Sequence, residues 1–297
     1  MRIVKRLLAG LVGIVALLLV LVYGVSSWKM SRTMSVSDSV PVFTHDSATI
    51  ARGAYLVRAI TKCGECHGAD LGGKLFIDGG PLGTFHAPNL TSGQGGLGKV
   101  LSDTAIVVAI RHGLNPTGHK LQWMPSLDWV QLADEDAAAI VAYLRSVPPI
   151  DRPSEPSSVG PLGRALYLAG VLPLFDAEAI EHDGIQRSRP PNGVTVEYGR
   201  YLANIGGCTG CHGPTLSGGP LPGAPPEFKP AANLTPEGIG HYTESDFFRA
   251  LREGRRPNGT PIDTLMPVTA TRQMTDDDIR AVFAFLRTVP PKPFGNR

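Results

Sequence analysis

Cys63-Gly64-Glu65-Cys66-His67 and Cys208-Thr209-Gly210-Cys211-His212 together contain all four cysteines of the chain. Cys-x-x-Cys-His is the attachment signature of a c-type haem: two thiols bond the porphyrin vinyl groups and the adjacent imidazole ligates the iron. A four-cysteine zinc site would leave both histidines unexplained, and the pairs lie 145 residues apart. A thioredoxin-like pair should sit beside a βαβ pattern, which the sequence lacks. A disulfide across two intervening residues would close a strained loop. The reading is two haem c groups, with Cys63, Cys66, Cys208 and Cys211 as covalent attachment points and His67 and His212 as proximal iron ligands.

Working outward, the two halves of the chain repeat one another. Gly53-Ala54-Tyr55-Leu56 matches Gly199-Arg200-Tyr201-Leu202, and Ala87-Pro88-Asn89-Leu90-Thr91 matches Ala231-Ala232-Asn233-Leu234-Thr235. Ala109-Ile110-Arg111 with Gly113 matches Ala250-Leu251-Arg252 with Gly254, and Met124-Pro125 matches Met266-Pro267. Residues 143–149 match 285–291 through Val-Pro-Pro. Two copies of about a hundred residues are a duplicated domain, since each is large enough for its own core. The division expected is an N-terminal anchor or signal peptide at 1–29, domains at 46–149 and 191–293, and a linker at 150–190.

Each copy reads as short helices joined by irregular loops. The first runs to the first cysteine, the second spans Asp103–His112 or Glu244–Glu253, and the last spans Asp134–Ser146 or Asp276–Thr288. Apolar residues recur at helical spacing, as in Ile279, Val282, Phe283 and Leu286. Thr243 to Asp246 and Thr275 to Asp278 resemble capping boxes. Val-Pro-Pro stops each last helix because proline cannot continue the ladder. Strand alternation is nowhere convincing, so the fold class is all-α.

Met124 and Met266 follow their histidines by 57 and 54 residues, each before a proline in a loop. Thioether sulfur is a soft ligand, and His/Met ligation raises the reduction potential. Of six methionines only these two are matched by the duplication, which marks them as the sixth ligands. His86, His112, His119 and His241 compete, but none has a histidine counterpart in the other copy. Asn89 and Asn233 are candidates for ordering the haem-side loops, and a carbonyl near Pro88 or Ala232 for orienting the imidazole. Arg111 and Arg252 are either propionate donors or solvent-facing helix residues.

From Leu7 to Trp28 there is no charged residue, and about 20 residues cross a bilayer as a helix. Arg2, Lys5 and Arg6 precede the run, so the positive-inside rule keeps the N-terminus cytoplasmic and the remainder in the periplasm. A cleaved signal peptide is the alternative. Beyond residue 29 there are 24 basic and 26 acidic residues, which offers no nucleic-acid footprint and points to docking by local patches. The apolar stretch from Leu162 to Phe175 is expected to pack across the seam between domains, with a membrane-surface contact as its rival.

On these motifs the chain resembles the class I cytochrome c family, as a tandem dihaem protein behind a membrane helix. Its Asn-Leu-Thr, Ala-Leu-Arg-Glu-Gly-Arg-Arg-Pro-Asn-Gly and Met-Pro blocks look like the cytochrome subunits of membrane-bound bacterial alcohol, aldehyde and gluconate dehydrogenases. The resemblance implies that Gly53 meets Tyr143, and Gly199 meets Phe285, where first and last helices cross. Those subunits usually have three haem domains and a C-terminal anchor. The function implied is electron transfer with no catalysis of its own, between a respiratory dehydrogenase or quinol-oxidising complex and a downstream cytochrome or terminal oxidase. The alternatives are a dihaem subunit of a terminal oxidase, and a catalytic dihaem enzyme of peroxidase or thiosulfate dehydrogenase type.

Overall fold

The structure is a computed structural model that describes residues 2–38, 42–185, 187–221, 224 and 228–296. It opens with α1 (Arg2–Ser31), whose apolar side chains point outward along nearly the whole helix. It is long and apolar enough to cross a membrane.

The first repeat contains α2 (Ser47–Tyr55), α3 (Cys63–His67), strands β1 (Lys74–Asp78) and β2 (Gly83–Ala87), α4 (Asp103–His112), α5 (Ser126–Trp129) and α6 (Asp134–Ser146). The linker adds β3 (Ser158–Val159) and α7 (Pro161–Leu168). The second repeat contains α8 (Val196–Ile205), α9 (Cys208–His212), α10 (Pro236–Ile239), α11 (Glu244–Glu253), α12 (Val268–Thr271) and α13 (Asp276–Leu286). The chain is mostly helical, as the pattern predicts.

Local chemistry accounts for the helix ends. Ser102 accepts from the Ala105 amide at the start of α4, and Gly113 ends it at φ 63°. Thr243 and Asp246 form the full reciprocal box on α11, and Gly254 ends that helix at φ 66°. In each repeat the first helix crosses the last at a glycine. A Cβ on Gly53 would fall inside the Ala139 carbonyl and 2.8 Å from the Tyr143 Cβ; one on Gly199 would meet the Ala281 carbonyl and lie 3.0 Å from the Phe285 Cβ. Absence of a side chain therefore sets both crossings.

One residue more separates Gly53 from Cys63 than Gly199 from Cys208. The extra residue is absorbed as a π-helical turn over Leu56–Ile60, closed by the Thr61 amide donating to the Leu56 carbonyl at 2.8 Å. Both the glycine crossing and the cysteine helix thus keep their places.

The small sheet is a departure from the helical reading. β2 pairs with β1 and, over two residues, with the linker strand β3, both antiparallel. Four of five side chains in β1 are exposed, so no alternating face was available to announce it. The linker is also placed differently from expectation. α7 packs against α1, β2 and the 80–82 turn, on the first domain and away from the seam.

The seam itself is reciprocal. The α6 N-cap is Ala133, which has no side-chain acceptor; Tyr201 of the other domain takes its place, accepting from the Ala133 amide at 3.2 Å and donating to Asp136 at 2.8 Å. In return Tyr55 accepts from the Thr275 amide at 3.1 Å and donates to Asp278. Asp278 therefore serves Tyr55, and the box expected at Thr275 is only half made locally. Tyr55 and Tyr201 are equivalent in the repeat, so each domain caps the other's last helix, as in an isologous dimer. One core runs through both domains.

Candidate haem sites

In both repeats the cysteine helix begins after a left-handed residue, Lys62 at φ 55° and Gly207 at φ 67°. None of the four cysteines, all among the described residues, is in a disulfide. Burial pushes the Cys63 thiol up, and the Cys66 and Cys208 thiols up to about 11.

The two histidines are held alike. His67 Nδ1 lies 2.8 Å from the Pro88 carbonyl, and His212 Nδ1 lies 2.7 Å from that of Ala232. A carbonyl only accepts, so Nδ1 carries the proton and Nε2 keeps its lone pair, as an iron ligand requires. Burial lowers the His67 pKa, which favours the same neutral form. Asn89 and Asn233 fasten the carbonyl-bearing loops. Asn89 donates to the carbonyls of Ile150 and Arg152 and accepts from the Thr91 amide. Asn233 donates to Lys292 and accepts from Thr235. Each Asn thereby ties the histidine's partner loop to the chain beyond the last helix.

Met124 and Met266 stand at the same point of each repeat, part-buried and packed against the core that also receives Cys63 and Cys208. Each is separated by a single proline from a short helix, α5 or α12. The donor set in each domain is thus two thiols, one oriented imidazole and one thioether, which fits a c-type haem.

Arg111 does not face solvent as one reading of its helix position has it. Arg111 is fully buried and donates to the Leu132 carbonyl and to Asp134 at 2.6 Å, while Arg252 donates to Asp276 at 2.5 Å and to the Arg272 carbonyl. Both reach the first turn of the last helix; the Arg111 side chain is shut off from solvent, while that of Arg252 stays 31% exposed. His112 joins a network that ties the first domain to the segments before and after it. Its Nδ1 lies 2.8 Å from His182 Nδ1, and its Nε2 lies 3.1 Å from Asp38, which also pairs with Arg111 and Arg187. His86 has a buried Nδ1 without a partner, His119 bridges to Thr33, and His241 rests edge-on against Tyr242.

The two sites adjoin one another. Lys62 donates to the Gly206 carbonyl, and Trp129 of α5 donates to the Ile205 carbonyl at 3.0 Å. Asp128 of α5 lies over α9, where a Cβ on Gly210 would sit 3.1 Å from its carboxylate. Thr269 of α12 donates to Glu65 of α3 at 2.8 Å. So the short helix after each methionine leans on the other domain's cysteine segment. Sequence reasoning missed these contacts, for which the repeat offered only Tyr55 and Tyr201 as a signal. Burial pushes the Asp128 carboxyl up to about 6, opposed by the Lys62 charge.

Fold and sites define a tandem arrangement of two oriented-histidine domains with thiol and thioether donors. The chain belongs to the cytochrome c family, with one such domain in each half. Residues 196–290 match the family model described as Cytochrome c, and residues 48–144 match Cytochrome C oxidase, cbb3-type, subunit III. The chain is 34% identical to the Gluconate 2-dehydrogenase cytochrome c subunit of Pantoea cypripedii, covering 83% of this chain and 61% of that one. It is 28% identical to the Alcohol dehydrogenase (quinone), cytochrome c subunit of Gluconacetobacter polyoxogenes, over 84% and 57%. It therefore spans about three fifths of the length of these two relatives. A Diheme cytochrome c-type of Cereibacter sphaeroides is 28% identical over 92% of this chain and 96% of its own. Cytochrome c domains bind haem c covalently, and the family carries electrons.

Proposed function

We propose that the chain carries two haems, one per domain, and relays electrons between a dehydrogenase or quinol-oxidising complex and a downstream cytochrome or oxidase. Cys63, Cys66, His67 and Met124 hold the first; Cys208, Cys211, His212 and Met266 hold the second. The domains on this reading are residues 46–149 and 191–293, joined by 150–190 and tethered by residues 1–29 to the bacterial inner membrane with the haem domains in the periplasm. The carrying observation is the repeated donor set, with each imidazole proton fixed on a carbonyl and a methionine matched in each repeat.

Haem bound at these residues supplies a one-electron iron couple. The chain's own work is positional. Pro88 and Ala232 hold the imidazoles, Asn89 and Asn233 fasten the loops that carry those carbonyls, and Met124 and Met266 pack part-buried against the core. The tyrosine-capped seam keeps the two sites adjacent, which supports transfer within one chain. The relatives' names support a dehydrogenase as donor.

The purified protein should contain about two haems per chain and show the weak near-infrared band of iron–methionine ligation. Met124→Ala and Met266→Ala should each remove half of that band and lower one potential, within the roughly 0.8 V that axial ligands control. A high-spin or bis-histidine spectrum, or two unmoved potentials, would overturn the reading.

A further inference from the structure

Residues 160–173 contain a single charge, Arg164, yet much of this segment is exposed. One side of α7 is occupied. Gly163 closes against Leu82 and Val159, and Tyr167 is buried edge-on against Phe175 at 5.4 Å. The other side carries Pro161, Leu162 and Ala165, all exposed, with Leu162 at 45%. The adjoining turn adds Pro81, also exposed, and is tied to the start of α7 by the Gly160 amide donating to the Leu82 carbonyl at 2.9 Å. Two neighbouring tips of the first domain are therefore uncharged and uncovered.

Their position along α1 is fixed. Arg164 donates to Ser26 at 2.8 Å and Ser27 at 2.9 Å and lies 4.6 Å over the Tyr23 ring. Ser26 is the one buried residue of α1. Further along, Lys29 lies over Tyr167 at 4.3 Å and pairs with Glu178 at 3.5 Å, while the Met30 side chain enters the Tyr167–Phe175 cluster. α7 thus follows α1 with its first turn at the Tyr23 end. About 20 helical residues cross the hydrocarbon core, so a span counted from Leu7 ends near Ser26. Tyr23 and Trp28, the latter 63% exposed, bracket that level, where interfacial aromatics belong. The first turn of α7 stands where the chain leaves the lipid.

We infer that the first turn of α7 and the 80–82 turn form an apolar foot that sits in the outer lipid–water interface and seats the first domain on the membrane. The occupant of this surface is phospholipid. Its apolar groups are continuous with the apolar surface of α1, and the only charge among them, Arg164, is turned inward onto α1 serines, leaving none to be stranded in lipid. The inference rests on reading α1 as an uncleaved membrane span.

The test uses the full-length holoprotein in vesicles of phosphatidylethanolamine and phosphatidylglycerol, with a benzophenone amino acid placed by Leu17→benzoylphenylalanine, Leu162→benzoylphenylalanine or Phe294→benzoylphenylalanine. An unchanged haem spectrum certifies each variant as folded. Illumination should yield lipid adducts at 17 and 162 and none at 294, an exposed position just past the second domain. Adducts at 17 without adducts at 162 would overturn the foot and leave the span intact. Protein–protein adducts at 162 would overturn it in favour of a second copy of the chain. Loss of adducts at both, with protein washing off the vesicles, would overturn the span and the foot together.

Discussion

The two cytochrome domains agree where they hold their donors and differ where they meet the rest of the chain. His67 and His212 are held the same way, as are the asparagine loops, glycine crossings and arginine contacts to Asp134 and Asp276. The first domain alone is wrapped by the 33–38 segment, the linker helix and a small sheet. Its loop 114–120 takes the Met34 amide onto the Gly118 carbonyl at 2.9 Å. In the second domain the equivalent Gly259 carbonyl is met by the chain's own Arg255 side chain at 3.0 Å. Duplication preserved what holds the donors, and divergence fell on the surfaces that place one domain beside α1.

The comparison breaks first if the glycine crossings are unequal. Gly53→Val and Gly199→Val should each prevent one domain from closing, because backbone carbonyls cannot retreat from the new side chain. Haem content per chain should then fall by half in either variant; a fall in only one would show that one crossing is dispensable.

The next effect is confined to one copy. The Asp38 side chain is 2% exposed and balances that of Arg111, which is wholly buried. Asp38→Ala should destabilise the first domain by about 1–3 kcal/mol, because Arg111 keeps Asp134 at 2.6 Å but loses its more deeply buried carboxylate. Burial alone would raise the Asp38 pKa, but the His112 bond and the charges of Arg111 and Arg187 hold it below the ordinary 3.8. A lowered carboxyl pKa contributes stability that is complete above 3.8 and lost as pH falls through the lowered folded value. Acid unfolding followed in each domain should show Asp38→Ala reducing the acid-dependent loss of the first domain more than that of the second.

Tyr55→Phe and Tyr201→Phe sharpen the seam. Each removes a bridge between a helix N-terminus and a carboxylate, at about 1–3 kcal/mol. Tyr55→Phe should cost more, because Asp136 keeps its paired bonds from Arg52 at 3.0 and 2.9 Å when Tyr201 is lost. Denaturant midpoints would check the order, and faster amide exchange at the start of α6 or α13 would report the uncapped helix.

The smallest effect lies at Asp128, whose counterpart in the second repeat is Ala270. Its raised pKa, about 6, means stability is greatest with the carboxyl protonated and falls as pH rises through 6. Asp128→Asn should therefore add about 1 kcal/mol at neutral pH, discounted for partial exposure, and nothing below pH 4. Melting curves at the two pH values would expose a wrong sign.

The sequence by itself determined the candidate donor residues, the duplication and most helix bounds. Cys-x-x-Cys-His, the paired Met-Pro and the caps at Thr243 and Gly254 act through covalent chemistry or through neighbours a few residues away. The carbonyls of Pro88 and Ala232 were within reach for the same reason, since the repeat placed both beside an asparagine. Only the tertiary structure decided what Arg111 and Arg252 pair with, because a long cation's partner depends on which helix packs opposite. The sheet needed the linker to supply β3, and the π turn needed both glycine crossing and cysteine helix held in place. Ala133 shows the limit most plainly. As a helix start it has no cap of its own, and the group that completes it, Tyr201, lies 68 residues along the chain. A bond across that separation forms only when the shared core has already brought the two domains together.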